Sequence, residues 1–213
     1  MMPRAVAWDI HGTLLDSEPV HLMALQKVCA DHGVDIADLP DDRFIGVHVK
    51  DVWRALAPRF PQRLSEAEWV GELNGHYLGL AKHLQPMPGA VAVVSELARR
   101  GVPQAAVSNS NRAVVQANLS VCNLVSHLAF SISLDDVTAG KPDPAPYLQA
   151  ARRPALAPHH IVAVEDSLTG LRSARSAGLQ TLGYGDGAAL GAVAHRTIGH
   201  LDSMIRALEL AER

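Results

Sequence analysis

The sequence predicts an α/β fold: a Rossmann-like core with a parallel sheet, interrupted after its first strand by a small α-helical domain. Three observations predict it. Short apolar runs alternate with helical patterns along most of the chain, which is the signature of parallel strands joined by crossover helices. The stretch from about Asp16 to about Pro86 breaks that alternation, contains no convincing strand, and holds Phe44, Trp53, Phe60, Trp69 and Tyr77, five of the nine aromatic residues. Finally, 213 residues, 48% of them apolar, suffice for one substantial core and a smaller accessory unit. The expected division is a core of residues 1–15 and 88–213 and a helical domain of residues 16–87.

Taken in order, Arg4 to Trp8 opens a buried strand that extends to Ile10, with Asp9 where it leaves the sheet. Ser17 is an N-cap with Pro19 in the first turn, and the helix it starts carries Leu22, Leu25, Val28 and Cys29 inward before stopping at Gly33. Gln85 to Gly89, rich in proline, is the linker back. A helix over Ala90–Arg100 is closed by Gly101, and Gln104–Val107 is the next strand. The alternation continues with helix Arg112–Cys122, strand Ala129–Ile132, helix Pro144–Arg152 and strand Ile161–Val164. Helix Leu168–Ala177, closed by Gly178, and strand Gln180–Gly183 complete it.

Composition narrows the function. A formal charge of -3 and the absence of any Lys/Arg block argue against a nucleic-acid surface. Cys29 and Cys122 sit singly in apolar helical stretches, which suits packed thiols in a reducing compartment. No run approaches a membrane span, and the first residues lead straight into a strand without the apolar region of a signal peptide. A cytoplasmic protein, monomeric or weakly homodimeric, is the expectation.

Four segments carry chemistry. Trp8 to Glu18, WDIHGTLLDSE, puts the Asp9 carboxylate at the exposed end of an apolar strand and follows it with a Gly-Thr turn. Ser108-Asn109-Ser110-Asn111 follows a strand and precedes a helix, so it can hold a phosphoryl oxygen or simply cap the helix. Lys141, in Gly-Lys-Pro-Asp-Pro, is either a fixed counter-charge for a phosphorylated carboxylate or a solvated loop lysine. Glu165-Asp166 places two adjacent acids at a strand terminus, where they repel unless a cation is shared or a helix is capped.

In this order the segments resemble the four successive motifs of the haloacid dehalogenase superfamily, and the resemblance spans nearly the whole chain. The helical insertion is similar to the cap of the subgroup that contains beta-phosphoglucomutase and phosphoglycolate phosphatase. The resemblance implies a phosphatase acting on a small phosphorylated metabolite. In it Asp9 attacks phosphorus and becomes an aspartyl phosphate, Ser108 with Asn109 binds the transferring group, and Lys141 offsets charge. It implies Mg²⁺ as cofactor, held by Asp9, Asp166 and the backbone carbonyl of His11, with Glu165 as a nearby or alternate ligand. His21 and Lys50 of the insertion are candidates for meeting the distal part of the substrate, although for His21 a solvated helix-face histidine is the more ordinary reading.

One residue departs from the pattern: the acid that serves as proton donor and acceptor in the family is His11 here. Imidazole can perform both roles. Neighbouring carboxylates favour its charged form while Lys141 and Mg²⁺ oppose it, so the direction of its shift stays open at this level. Three alternatives accompany the phosphatase reading. A catalytically silent binding protein keeps the fold without turnover. A phosphomutase would want an arginine where Val49 stands. A phosphonoacetaldehyde-hydrolase-like enzyme would use a lysine such as Lys50, but its spacing from Gly46 is one residue too long.

Overall fold

The computed structural model describes residues 4–153, 156–185 and 187–209, and the chain separates into two units: Met1–Asp16 with Gln85–Arg213, and Ser17–Leu84. The first unit carries the strands β1 (Ala5–Trp8), β2 (Leu15–Asp16), β3 (Gln85–Pro86), β4 (Gln104–Val107), β5 (Phe130–Ile132), β6 (Ile161–Glu165), β7 (Gln180–Tyr184) and β8 (Arg196–Ile198). Six of them form one parallel sheet in the order β5-β4-β1-β6-β7-β8. All four residues of β1 are buried, as expected for a central parallel strand covered on both faces. Trp8 donates through Nε1 to Gln104 Oε1 at 2.9 Å, and Gln104 Nε2 donates to the Val94 carbonyl at 2.9 Å, which satisfies a polar residue inside the next strand. The chain moves outward from β1 to β4 and β5, then returns to β6 on the other side. β1 is therefore the topological switch point, where open α/β sheets form a crevice at the carboxyl ends of their strands.

The second unit is built from the helices α1 (Glu18–Asp31), α2 (Val49–Leu56) and α3 (Glu66–Gly79). Gly33 ends the first of them in a left-handed conformation, φ 64°, as the sequence suggests, while Leu22 is half-buried rather than fully inward. The rings of Trp53, Phe60 and Trp69 pack with centroids 5.3 to 6.2 Å apart, and Leu73 and Tyr77 extend this core along α3. Two histidine–carboxylate contacts, His32 to Glu72 at 2.6 Å and His76 to Asp31 at 2.7 Å, tie α1 and α3 together at its edge.

Around the sheet lie α4 (Ala90–Arg99), α5 (Arg112–Val121), α6 (Ala145–Arg152), α7 (Leu168–Ser176), α8 (Ala188–Gly191) and α9 (Met204–Glu209). Ala5, Ala7, Ala150, Ala151, Ala163 and Ala174 share one buried cluster with Tyr147, Val107 and Ile132, and their small side chains let the helices approach the sheet closely. Among the described residues, no helix is long and apolar enough to cross a membrane.

The elements depart from expectation in several places. β1 stops at Trp8 because the Ile10 carbonyl turns to accept from the N–H groups of Thr13, Leu14 and Leu15 at 3.4, 2.9 and 2.9 Å. β8 was not expected: of its three residues only Ile198 is buried, and its register comes from pairing with β7. The ends of the insertion, expected to lack strands, form a short antiparallel ribbon, Leu15 opposite Pro86 and Asp16 opposite Gln85. The helical unit consequently runs from Ser17 to Leu84 rather than from 16 to 87.

Candidate active site

Asp9 follows β1 directly, and its N–H still donates to the Val164 carbonyl at 3.0 Å, so the carboxylate is fixed at the end of the central strand. Lys141 comes from the loop before α6 and is buried, only 8% exposed, which excludes a solvated loop lysine. Its Nζ donates to Asp9 Oδ1 at 2.6 Å, to Glu165 Oε1 at 2.6 Å and to the Val107 carbonyl at 2.8 Å. Burial alone would drive the ammonium toward its neutral form, but Asp9 and then Glu165 outweigh it and hold Lys141 above the usual lysine range. Burial pushes the fully buried Glu165 carboxyl upward, Lys141 pulls it back, and the charge of Asp9 raises it again. Tyr147 donates its hydroxyl to Glu165 Oε1, and Ser167 Oγ donates to Oε2 at 3.3 Å.

One oxygen from each of Asp9, Glu165 and Asp166 lies within 4.8 Å of the others. These hard carboxylate oxygens could hold a divalent cation beside the Lys141 ammonium, which already bridges Asp9 and Glu165. Gly12 makes the arrangement possible: at φ +74° it brings the backbone so near that a Cβ there would sit 2.1 Å from Asp166 Oδ2. Thr13 Oγ1 lies 3.5 Å from Asp166 Oδ1 on the same turn.

The capping alternatives fall to other residues. Ser167 caps α7 by accepting from the Gly170 N–H at 3.0 Å. Asn111 caps α5 by accepting from Val114 N–H at 2.9 Å, so Ser108 is not the cap. Ser108 is buried at the end of β4, directly after the carbonyl that holds Lys141, and its Oγ accepts from Ser110 N–H at 3.1 Å. Asn109, expected to touch substrate, has its amide engaged with the Lys141 backbone: Oδ1 accepts from Lys141 N–H at 2.7 Å and Nδ2 donates to its carbonyl at 3.0 Å.

His11 is part-buried beside Ser110 Oγ, 2.9 Å from its Nε2, and Asn118 Nδ2 approaches the same nitrogen at 3.3 Å. Burial, and then the positive charge of Lys141, push its imidazole down to about 4, which settles the direction left open by the sequence. Because the folded value lies below the ordinary histidine value, the unfolded chain takes up this proton first on acidification. The stability supplied by a neutral His11 is therefore complete above about pH 6.5 and is lost as pH falls toward 4. In metal-free buffer, urea unfolding at pH 7 and pH 4.5 should show the parent losing on the order of 1–3 kcal/mol more than His11→Gln. Equal losses would contradict this environment for His11.

Ser110, Asn118 and Tyr147 were not singled out by sequence. Asn118 and Tyr147 occupy inward helix positions that read as core, and Ser110 reads as part of a helix start. His21 and Lys50 belong to the helical unit: His21 stacks on Tyr77 with centroids 4.4 Å apart, and Lys50 is exposed in the first turn of α2.

Comparison with known proteins agrees with this geometry. The chain is 29% identical over 185 residues to hexitol phosphatase A of Escherichia coli K12, covering 85% of this chain and 83% of that protein. It is 29% identical over 186 residues to a phosphoglycolate phosphatase of Xylella fastidiosa, covering 84% and 79%. The crystal structure of CbbY from Rhodobacter sphaeroides in complex with phosphate superposes with a TM-score of 0.84 at 25% identity, over 95% of this chain and 96% of that one. Residues 3–178 match the haloacid dehalogenase-like hydrolase family, and the chain, with its Asp9, Lys141 and Glu165-Asp166 gathered at the switch point of a parallel sheet, belongs to that family.

Proposed function

We propose that the protein is a Mg²⁺-dependent phosphatase that hydrolyses a small phosphorylated metabolite through an aspartyl phosphate on Asp9. The observation that carries this reading is the buried Lys141 ammonium, 2.6 Å from both Asp9 and Glu165. An ammonium fixed on a strand-end carboxylate is what a phosphoryl group needs to approach that carboxylate without repulsion. Asp9, Asp166 and the His11 carbonyl would hold Mg²⁺, which supplies positive charge to the transferring group. Glu165 is already bonded to Lys141 and Tyr147, and acts through Lys141 rather than as the principal metal ligand.

In the first half-reaction Asp9 attacks phosphorus and the ester oxygen departs with its electron pair, taking a proton from solvent. In the second, water attacks the acyl phosphate, loses a proton to His11, which returns it to solvent, and frees phosphate and Asp9. A neutral imidazole suits the second step as base. It serves the first poorly, because protonating an alkoxide requires an imidazolium. The unit Ser17–Leu84 would act as the cap that selects substrate, with His21 and Lys50 as candidates for its distal part. The names of the relatives point to sugar, polyol or glycolate phosphates as the class.

Phosphate release over a panel of hexitol, hexose and glycolate phosphates, with and without Mg²⁺, tests this reading beside His11→Asp. The parent should release phosphate only with Mg²⁺. His11→Asp should raise turnover of alkyl phosphates about ten- to a thousandfold, and that of nitrophenyl phosphate less, since its leaving group needs little protonation. If both proteins are inert across the panel, the phosphatase reading fails. If His11→Asp alone is active, the chain is a binding protein silenced at residue 11.

A further inference from the structure

We propose that Tyr147 is a positioning residue, a standby hydrogen-bond donor that keeps Glu165 satisfied while Lys141 turns toward the transferring phosphoryl group. This rests on the phosphatase reading above and goes beyond it. The Lys141 ammonium has three N–H groups, and all three are taken, by Asp9 Oδ1, Glu165 Oε1 and the Val107 carbonyl. A phosphoryl oxygen can gain Lys141 only if one of these partners shares or releases it. Losing its donor would strand a carboxylate oxygen at Glu165, which is 0% exposed and closed to water.

Tyr147 removes that obstacle. Its hydroxyl donates to the same Oε1 that receives Lys141, from a side chain that is itself 0% exposed on α6. Its ring faces the ammonium, with Lys141 Nζ 5.2 Å from the centroid, so one residue touches both members of the pair. Glu165 has little freedom to compensate by moving, since its other oxygen accepts from Ser167 and packs where a Cβ on Gly170 would lie, 1.8 Å away. The demand on Lys141 is greatest while charge builds on the phosphoryl oxygens, so the defect from losing the hydroxyl should fall on kcat.

The test compares the full chain with Tyr147→Phe, Glu165→Gln and the double variant. Phenylalanine keeps the ring and the packing. Tyr147→Phe should lower kcat about tenfold with KM within about twofold, and the double variant should be no slower than Glu165→Gln alone. Urea unfolding of the same four proteins adds a readout independent of turnover: the Phe substitution should destabilise the parent more than it destabilises Glu165→Gln. A parental kcat in Tyr147→Phe, or equal fold-losses in the two backgrounds, would overturn the proposal. A parent inert toward every ester would instead overturn the phosphatase reading. The unfolding cycle would then still judge the Tyr147–Glu165 coupling, with additive losses counting against it and non-additive ones for it.

Discussion

Asp9→Asn is expected to reduce Mg²⁺-dependent phosphate release to background, a loss on the order of 10⁴-fold or more. An amide oxygen is too weak a nucleophile to attack phosphorus, and the metal loses one of its charged donors. The fold should survive, because asparagine matches aspartate in shape and its carbonyl can still accept from Lys141 Nζ, which lies 2.6 Å from Asp9 Oδ1. Release assays, together with mass spectrometry of acid-quenched parent and variant for a covalent phosphoryl group, check both halves. Activity near the parental level would remove Asp9 from the nucleophile's role.

The second large effect is expected from a glycine. Gly12→Ala introduces a Cβ that would lie 2.1 Å from Asp166 Oδ2 and 2.8 Å from its Cγ, at a φ of +74° that side chains rarely adopt. Asp166 must move, and with it the proposed metal position, so turnover should fall about a hundredfold and the Mg²⁺ concentration for half-maximal activity should rise. Gly33→Ala separates the two causes. Gly33 has a similar φ of +64° but nothing within 4 Å of its added Cβ, so it should lose only the roughly 1–2 kcal/mol of backbone strain and keep the parental rate. If the two variants behave alike in Mg²⁺ titrations, crowding of Asp166 is not the cause.

Much of this was legible in the residues. Parallel strands buried on both faces leave uninterrupted apolar runs, which is why Ala5–Trp8 and Ile161–Val164 stood out. Asp9 and the Glu165-Asp166 pair were visible because charged residues directly after such runs need a reason to be there, and Lys141 because prolines stiffen the loop that carries it. β8 was hidden because Arg196 and Thr197 are exposed and only Ile198 is buried, so no periodicity marks it. Tyr147 was hidden for the opposite reason: an aromatic at an inward helix position reads as core, and nothing local reveals that its hydroxyl meets a carboxylate 18 residues on. The direction of the His11 shift depends on burial, and the ring's surroundings come from residues about a hundred positions away, Ser110 and Asn118 among them.

The ribbon of Leu15–Asp16 with Gln85–Pro86 places the chain's departure from the first unit and its return side by side, about one strand spacing or 4.8 Å apart. To the parallel sheet, the whole helical segment is therefore equivalent to a single hairpin loop. Doubling such a loop adds only about 0.6 kcal/mol of closure entropy, and its length has no purchase on the register of β1 against β4 and β6. A chain clipped in this way can lengthen, shorten or exchange everything between Asp16 and Gln85 while the strand-end carboxylates stay where they are.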